Sequence, residues 1–425
     1  MTSQPPLPGI AKPLGTSETA WPSRRVRWVL LALCLAALFA PPFVYEDDVY
    51  RRDQFTKFAA LAILALSLDL IWGYTGLLSL GQGLYFGLGA YAMGYSLILQ
   101  KMAIGENPLE PNFTASPDMA MPGFMAVMGQ LTEVPFWIRP FINIWFALAV
   151  AILLPALLAT LFGLVTFRLR IKGVFFALIT QVLILALYLV VVRNLPYTGG
   201  DVGMIGLPWL NLFGIYQFEN SFQLYFLIAG ILVLCFLGSY WLVNSKFGKL
   251  LTAIRDNENR VLAMGYNTMM YKTFIFALAG GMSGLSGALY VAANRTCGPD
   301  FLKIEFSVEA VILVAVGGRG TLIGAILGAF LVRFANAFIN DMWSEGWRFI
   351  QGGLFIGVVL FLPEGIMGAV YRLADRCRRW VGHKALADPD SFPAEPPGKL
   401  SVQAAGPNAN LSARTEGLEN QPKTS

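Results

Sequence analysis

Long apolar runs separated by short polar segments fill most of the chain. A membrane-spanning helix needs roughly 20 predominantly apolar residues. Runs of that kind lie at 28–44, 55–73, 81–99, 141–167, 173–192, 222–243, 271–293, 322–339 and 347–370. The apolar run at 305–316 is shorter, about 18 Å of helix against a hydrocarbon core of roughly 30 Å. It is either a broken span or one that begins near Phe301. The pattern predicts an all-α polytopic membrane protein with about ten transmembrane helices. Arg24, Arg25 and Arg27 ahead of the first run also suit a signal peptide, with Ala37 and Ala40 as a cleavage-like site. Residue 46 emerges on the outer face in either case.

Polar positions divide the rest of the chain. Residues 1–23 and 382–425 are polar and predicted to be disordered tails, leaving 24–381 as the transmembrane domain. The third run is glycine-rich. Its Gly83, Gly87, Ala90 and Gly94 recur at three- and four-residue intervals, which lets helix backbones approach closely. Pro155 sits inside the fourth run and predicts a kink. Segment 244–272 is the longest charged stretch between two apolar runs. Its spacing predicts an amphipathic helix over 249–264. Leu250, Ile254 and Val261 form a stripe, with Leu251 and Leu262 beside it. Arg255, Asp256, Glu258 and Arg260 take the other face, Asp256 and Arg260 pair at i,i+4, and Gly265 ends the helix. An ordinary charged loop between two spans is the plainer alternative.

Composition agrees with the pattern. Hydrophobic residues make up 56% of the 425, and charged residues only 13%, against about 25% in soluble domains. The mean hydropathy is +0.58. The net charge of +5 is therefore read by side of the membrane, not as a nucleic-acid footprint. With the N-terminus inside, the inner segments hold Arg24, Arg25, Arg27, Arg168, Arg170, Lys172, the 244–272 segment, Arg319 and the basic stretch after 370. The outer segments hold scattered positives such as Arg51, Arg52, Lys101 and Arg193. That asymmetry places both termini and 244–272 in the cytoplasm. A duplicated fold would divide into inverted halves of about five spans each, with the glycine-rich runs at 73–94 and 317–328 as its only internal echo.

Little catalytic chemistry is available. His383 is the only histidine, and the four cysteines have neither pairing nor metal spacing. No metal site or cofactor is expected. The GGRGTLIG stretch at 317–324 lacks the Lys-Ser/Thr pair of a phosphate loop, so the chain is not expected to bind ATP itself. It is read as a transport component, not an enzyme. Polar groups at membrane depth remain as functional candidates. They are Gln82 and Tyr85 on the third run, Thr180 and Gln181 on the fifth, and Glu309 on the short eighth. Hydrogen bonding between helices is the structural alternative for each. Arg333 lies at a similar depth to Glu309, and the cost of an unpaired buried charge predicts that the two meet.

Three stretches carry a resemblance: GYTGLLSLGQGLYFGLGAYAMG at 73–94, GKLLTAIRDNENRVLAMGYN at 248–267 and VAVGGRGTLIGAILGA at 314–329. They resemble the signatures of permeases in branched-chain amino acid and amide ABC importers, over roughly residues 25–370. ITQ at 179–181, TGGDVGMIGL at 198–207, VAVGGRGTL at 314–322 and the outer-loop stretch at 122–141 are similar to the urea-importing members. Gln82 stands where those members often carry histidine, and Arg333 is not an expected family residue. The resemblance implies a subunit of a bacterial inner-membrane importer. Its partners would be a second permease, two cytoplasmic ATP-binding subunits and a periplasmic substrate-binding protein, with no nucleic acid. ATP would be hydrolysed by those partners. Gly248, Ala253, Ile254, Arg255, Asp256, Glu258 and Gly265 would form the ATPase-coupling segment. Urea would be the substrate. Import of branched-chain or other amino acids or short amides, and a passive urea channel, are the alternatives.

Overall fold

The computed structural model describes residues 48–103, 134–171, 173–212, 216–218 and 221–342, with a few isolated positions outside these ranges. These long stretches fall in one compact unit within Met1–Ala374. The expected first span, most of the tenth, Lys172 and both tails lie outside the described residues.

Nine helices of eight residues or more are described: α1 Val49–Thr75, α2 Gln82–Ala103, α3 Ile144–Arg168, α4 Val174–Arg193, α5 Ser221–Asn244, α6 Lys246–Ala263, α7 Thr268–Asn294, α8 Ile304–Gly317 and α9 Leu322–Met342. Six of them, α1, α3, α4, α5, α7 and α9, are long and apolar enough to cross a membrane. α2 follows the glycine-rich run. α8 has only 14 residues, about 21 Å of helix, and the 3-10 turn Pro299–Leu302 precedes it.

α1 is the central element. Asp48 caps its start by accepting from the Arg51 N–H, and Gly76 ends it in the left-handed conformation. α5, α7 and α9 pack around it, and Ala59 through Leu66 are sealed from solvent. Tails of lipid are as apolar as leucine, so hydrophobicity alone does not bring helices together in a bilayer. Close backbone approach and interhelical hydrogen bonds do. α7 supplies both. Its Gly280 and Gly284 lie against Ala159 and Pro155 of α3, and Gly284 also meets Gly89 of α2. Ser286 donates to the Ala60 carbonyl of α1. The small residues picked out on α2 likewise all make contacts: Gly83 with Phe301 and Ser307, Gly87 with Leu302, and Gly94 with Cys297 and Met204. α3 runs uninterrupted through the Pro155 position.

The connections after α1 and α7 are both broken. Residues 76–81 follow α1 without helical structure, with Leu77, Ser79 and Gly81 buried. Gly73 lies against Gly320, just past the end of α8, whereas Gly83 lies against Ser307 and Phe301 at its start. The chain therefore climbs one length of α8, about 20 Å, in about ten residues. Extended backbone covers that distance easily. Such irregular backbone is tolerated at membrane depth where protein encloses it. After α7, Arg295 turns left-handed, and Thr296–Cys297 pairs antiparallel with Met204–Ile205.

Two ends of the bundle follow from these contacts. One gathers the ends of α1 and α3, α6 and the 318–321 turn; Lys272 at the start of α7 lies over the Phe167 ring near the end of α3, 6.0 Å from its centroid. The other gathers Asp53, Ser221 and Arg295, with Arg295 3.6 Å from Asp53, and the Gly206 carbonyl accepts from Lys101 near it. A Cβ on Gly89 would overlap the Gly284 carbonyl, whereas nothing lies within 4 Å of one on Gly230. Gly89→Ala should therefore lower stability by about 1–3 kcal/mol and Gly230→Ala should leave it within about 0.5 kcal/mol. Thermal unfolding of detergent-purified protein checks both.

Candidate functional site

At the start of α2, the broken connection delivers several polar groups to one place. The Leu80 N–H donates to Thr180 Oγ1 of α4 at 3.1 Å. The Gly83 N–H donates to Ser307 Oγ of α8 at 3.0 Å. Ser283 of α7 donates to the Gln82 carbonyl at 3.1 Å. Three separate elements thus fix the beginning of α2. Gln82 is fully buried, and neither its amide nitrogen nor its amide oxygen has a partner among the described residues. The same holds for the Tyr85 hydroxyl one turn further on and for Thr273 Oγ1 of α7. Tyr85 stands edge-on to Phe276 of α7, with ring centroids 5.7 Å apart. An unpaired buried amide costs roughly 1–3 kcal/mol. A cluster of such groups at a helix break is therefore an arrangement short of a hydrogen-bonding partner.

The sequence-predicted path residues separate. Gln82, Tyr85 and Thr180 belong to this region. Gln181 is only half-buried, next to the exposed Val182 and Leu178. Glu309 faces elsewhere: its carboxylate lies 3.1 Å from Arg333 of α9. The predicted meeting of these two charges is observed, and each side chain is 16% exposed.

α6 forms the second feature. Ser245 caps it by accepting from the Phe247 N–H. The expectation of one continuous helix over 249–264 is corrected in two ways. The helix begins at Lys246, and Asn257 adopts non-helical angles within it (φ −156°, ψ 92°). The Asn257 side chain then accepts from the Arg260 N–H, as a cap would. This break also corrects the expected Asp256–Arg260 pair, because it removes their helical register. Asp256 instead meets Arg255 at 3.3 Å. The glycine stop is where the sequence put it. Gly265 has φ +86°, its N–H donates to the Leu262 carbonyl, and the Tyr266 N–H donates to the Val261 carbonyl. That is a Schellman end.

The residues expected in the coupling segment face different ways. Gly248 and Ile254 are buried, and a Cβ on Gly248 would overlap the Val243 carbonyl. Glu258 turns inward, 2.6 Å from Lys272 and accepting from Thr268 at 3.1 Å. Arg255 donates to the Gly73 carbonyl of α1 at 2.7 Å. Ala253 and Asp256 point out. Sequence reasoning missed Asp69 of α1, which is fully buried and accepts from the Gly320 N–H at 2.7 Å. A charged residue inside an apolar run was the signal that marked it.

A bundle of apolar helices with a buried polar break and an amphipathic segment at one end defines a multi-pass membrane permease. The family of branched-chain amino acid transport system permease components matches residues 52–359, and the chain belongs to it. It is 23% identical over 360 residues to the high-affinity branched-chain amino acid transport system permease protein LivM of Escherichia coli, covering 80% of this chain and 74% of that protein. It is 24% identical over 331 residues to the probable branched-chain amino acid transport permease protein LivM of Methanocaldococcus jannaschii, covering 73% of this chain and 91% of that one. A shorter match, 32% over 138 residues, links it to the autoinducer 2 import system permease protein LsrC of Salmonella paratyphi B, over 31% of this chain and 40% of that one. No solved structure matches the chain.

The charge pair gives a direct test. Glu309→Leu or Arg333→Leu alone should destabilise by about 3–5 kcal/mol, because each strands a desolvated charge, and the double change should recover most of that loss. Thermal unfolding of the single and double variants in detergent measures the coupling.

Proposed function

We propose that the chain is a permease subunit of an ATP-driven importer in the bacterial inner membrane, and that its substrate is urea. The observation that carries the substrate reading is the unpartnered amide of Gln82, buried at the α1–α2 break beside the Tyr85 hydroxyl. Urea is small, planar and neutral, with amide donors and a carbonyl acceptor. It meets a side-chain amide on both counts and recovers the hydrogen bonds it loses with water. The acid on the nearby α8, Glu309, is engaged with Arg333. That favours a neutral amide over a zwitterion. The stretches at 179–181 and 198–207 support the same reading. Branched-chain amino acids are the second reading, favoured by the family and by the LivM relatives.

In the proposed assembly, a second permease completes the path, a periplasmic protein delivers substrate and two ATPase subunits bind the cytoplasmic face. ATP is bound and hydrolysed by those subunits. The outward face of α6, with Ala253 and Asp256, is their contact, and Arg255 and Glu258 tie that helix to the bundle. An inverted repeat suits the same fold. Pairing α1 with α7 and α3 with α9 makes the α1–α9 packing the counterpart of the α7–α3 packing, and each broken connection then follows an equivalent helix.

Uptake of radiolabelled urea and leucine in a strain lacking this gene, with and without the gene restored, decides the substrate. Urea uptake should depend on the gene; loss of leucine uptake alone would overturn the reading. Gln82→Leu should reduce urea uptake about tenfold, the equivalent of one hydrogen bond of about 1.4 kcal/mol, with normal membrane insertion. Arg255→Glu should abolish ATP-dependent uptake with normal insertion, since it reverses the charge that holds the Gly73 carbonyl.

A further inference from the structure

Three segments far apart in sequence meet at the inner end of α1. The last turns of α1 contribute Asp69, Trp72, Gly73 and Gly76. α6 contributes Arg255, and the turn between α8 and α9 contributes Arg319 and Gly320. Asp69 Oδ1 accepts from the Gly320 N–H at 2.7 Å. Arg255 donates to the Gly73 carbonyl at 2.7 Å, one of the carbonyls that a helix end leaves without an intrahelical partner. The Arg255 stem lies along Gly76, its Cγ 2.9 Å from where a Cβ would stand. The Arg319 guanidinium lies 5.5 Å from the Trp72 ring centroid. Gly73 leaves no slack: a Cβ there would come within 2.6 Å of the Gly320 backbone. Gly320 itself has φ +78°, which disfavours side chains.

We propose that Asp69 is a positioning residue of transport. Together with Arg255 it ties α6, the end of α1 and the α8–α9 turn into one body. The consequence lies in what leaves that body. The segment 76–81 runs from it directly to Gln82. α8 ends in it and carries in its first turn Ser307, which accepts from the Gly83 N–H. A displacement of α6 is thereby delivered along two routes, about one α8 length, to both sides of the buried polar cluster. Without the tie, α6 moves and the cluster does not.

This inference rests on the reading of α6 as the ATPase contact. The test uses the whole importer, reconstituted with its ATPase subunits and binding protein. It measures ATPase co-purification, ATP hydrolysis, and uptake of labelled urea and leucine. Asp69→Ala and Gly73→Ala should retain the ATPases and hydrolyse ATP within about twofold of the parent. Substrate moved per ATP should fall about tenfold, within the range of coupling changes. Asp69→Asn keeps the acceptor oxygen and should restore most of that ratio. An unchanged ratio in Asp69→Ala, or uptake and hydrolysis falling together, overturns the proposal. If Asp69→Ala does not assemble, Arg255→Gln decides: a lowered ratio supports the tie and a normal one overturns it. A separate variant, Asp256→Arg, reports on the underlying reading. If it leaves ATPase co-purification unchanged, the docking assignment fails; normal docking with a normal ratio in Asp69→Ala sinks the tie alone.

Discussion

The hydrogen bond from the Gly320 N–H to the buried Asp69 side chain is the constraint on which the end of the fold that holds α6 depends. A carboxylate sealed inside an apolar helix is costly unless fixed partners surround it. Here the partner of Oδ1 is the Gly320 N–H, and Oδ2 has none among the described residues. Meeting that need draws the α8–α9 turn against α1. It sets the level at which α8 ends, and so the level from which 76–81 must climb to reach the start of α2. The glycines at 73 and 320 follow from the same contact, because backbone must meet backbone there.

The polar cluster at Gln82 is the complement of that joint. Helix packing in a bilayer rewards small residues and satisfied polar groups. Most of the chain complies: Ser283, Ser286, Ser307 and Thr180 all bond across helices or to nearby backbone. Gln82 and Tyr85 do not, nor do Tyr91, Thr273, Gln223 and one oxygen of Asp69. Gln82 and Tyr85 stand one helical turn apart at the α1–α2 break, which is where another molecule's hydrogen bonds are expected to enter.

The helices were largely legible in the sequence, because lipid imposes length and apolarity on each span. α3, α4, α5 and α7 lie close to the expected limits, α1 begins at Val49 rather than near residue 55, and Gly265 ends α6 where its φ requirement put it. The meeting of Glu309 with Arg333 was also legible, since a buried charge needs a partner. The tertiary direction of single side chains was not. Glu258 reads as part of a charged outer face, yet it turns inward to Lys272, because the break at Asn257 rotates the rest of α6. Nothing in helical spacing announces that break. Asp69 was visible as a charge in an apolar run, but its partner lies 251 positions away, beyond any local pattern.

In the proposed coupling, α6 and the ends of α1 and α8 that meet it move as one body. Pulsed electron paramagnetic resonance on the reconstituted importer tests it most directly, with spin labels on cysteines introduced in a variant lacking the native ones. One label pair joins Asn259 of α6 to Leu327 of α9, near the joint. The other joins Asn259 to Val182 of α4, outside it. The account predicts that ATP binding leaves the first distance unchanged while the second shifts. A shift in the first distance with the second fixed would contradict it.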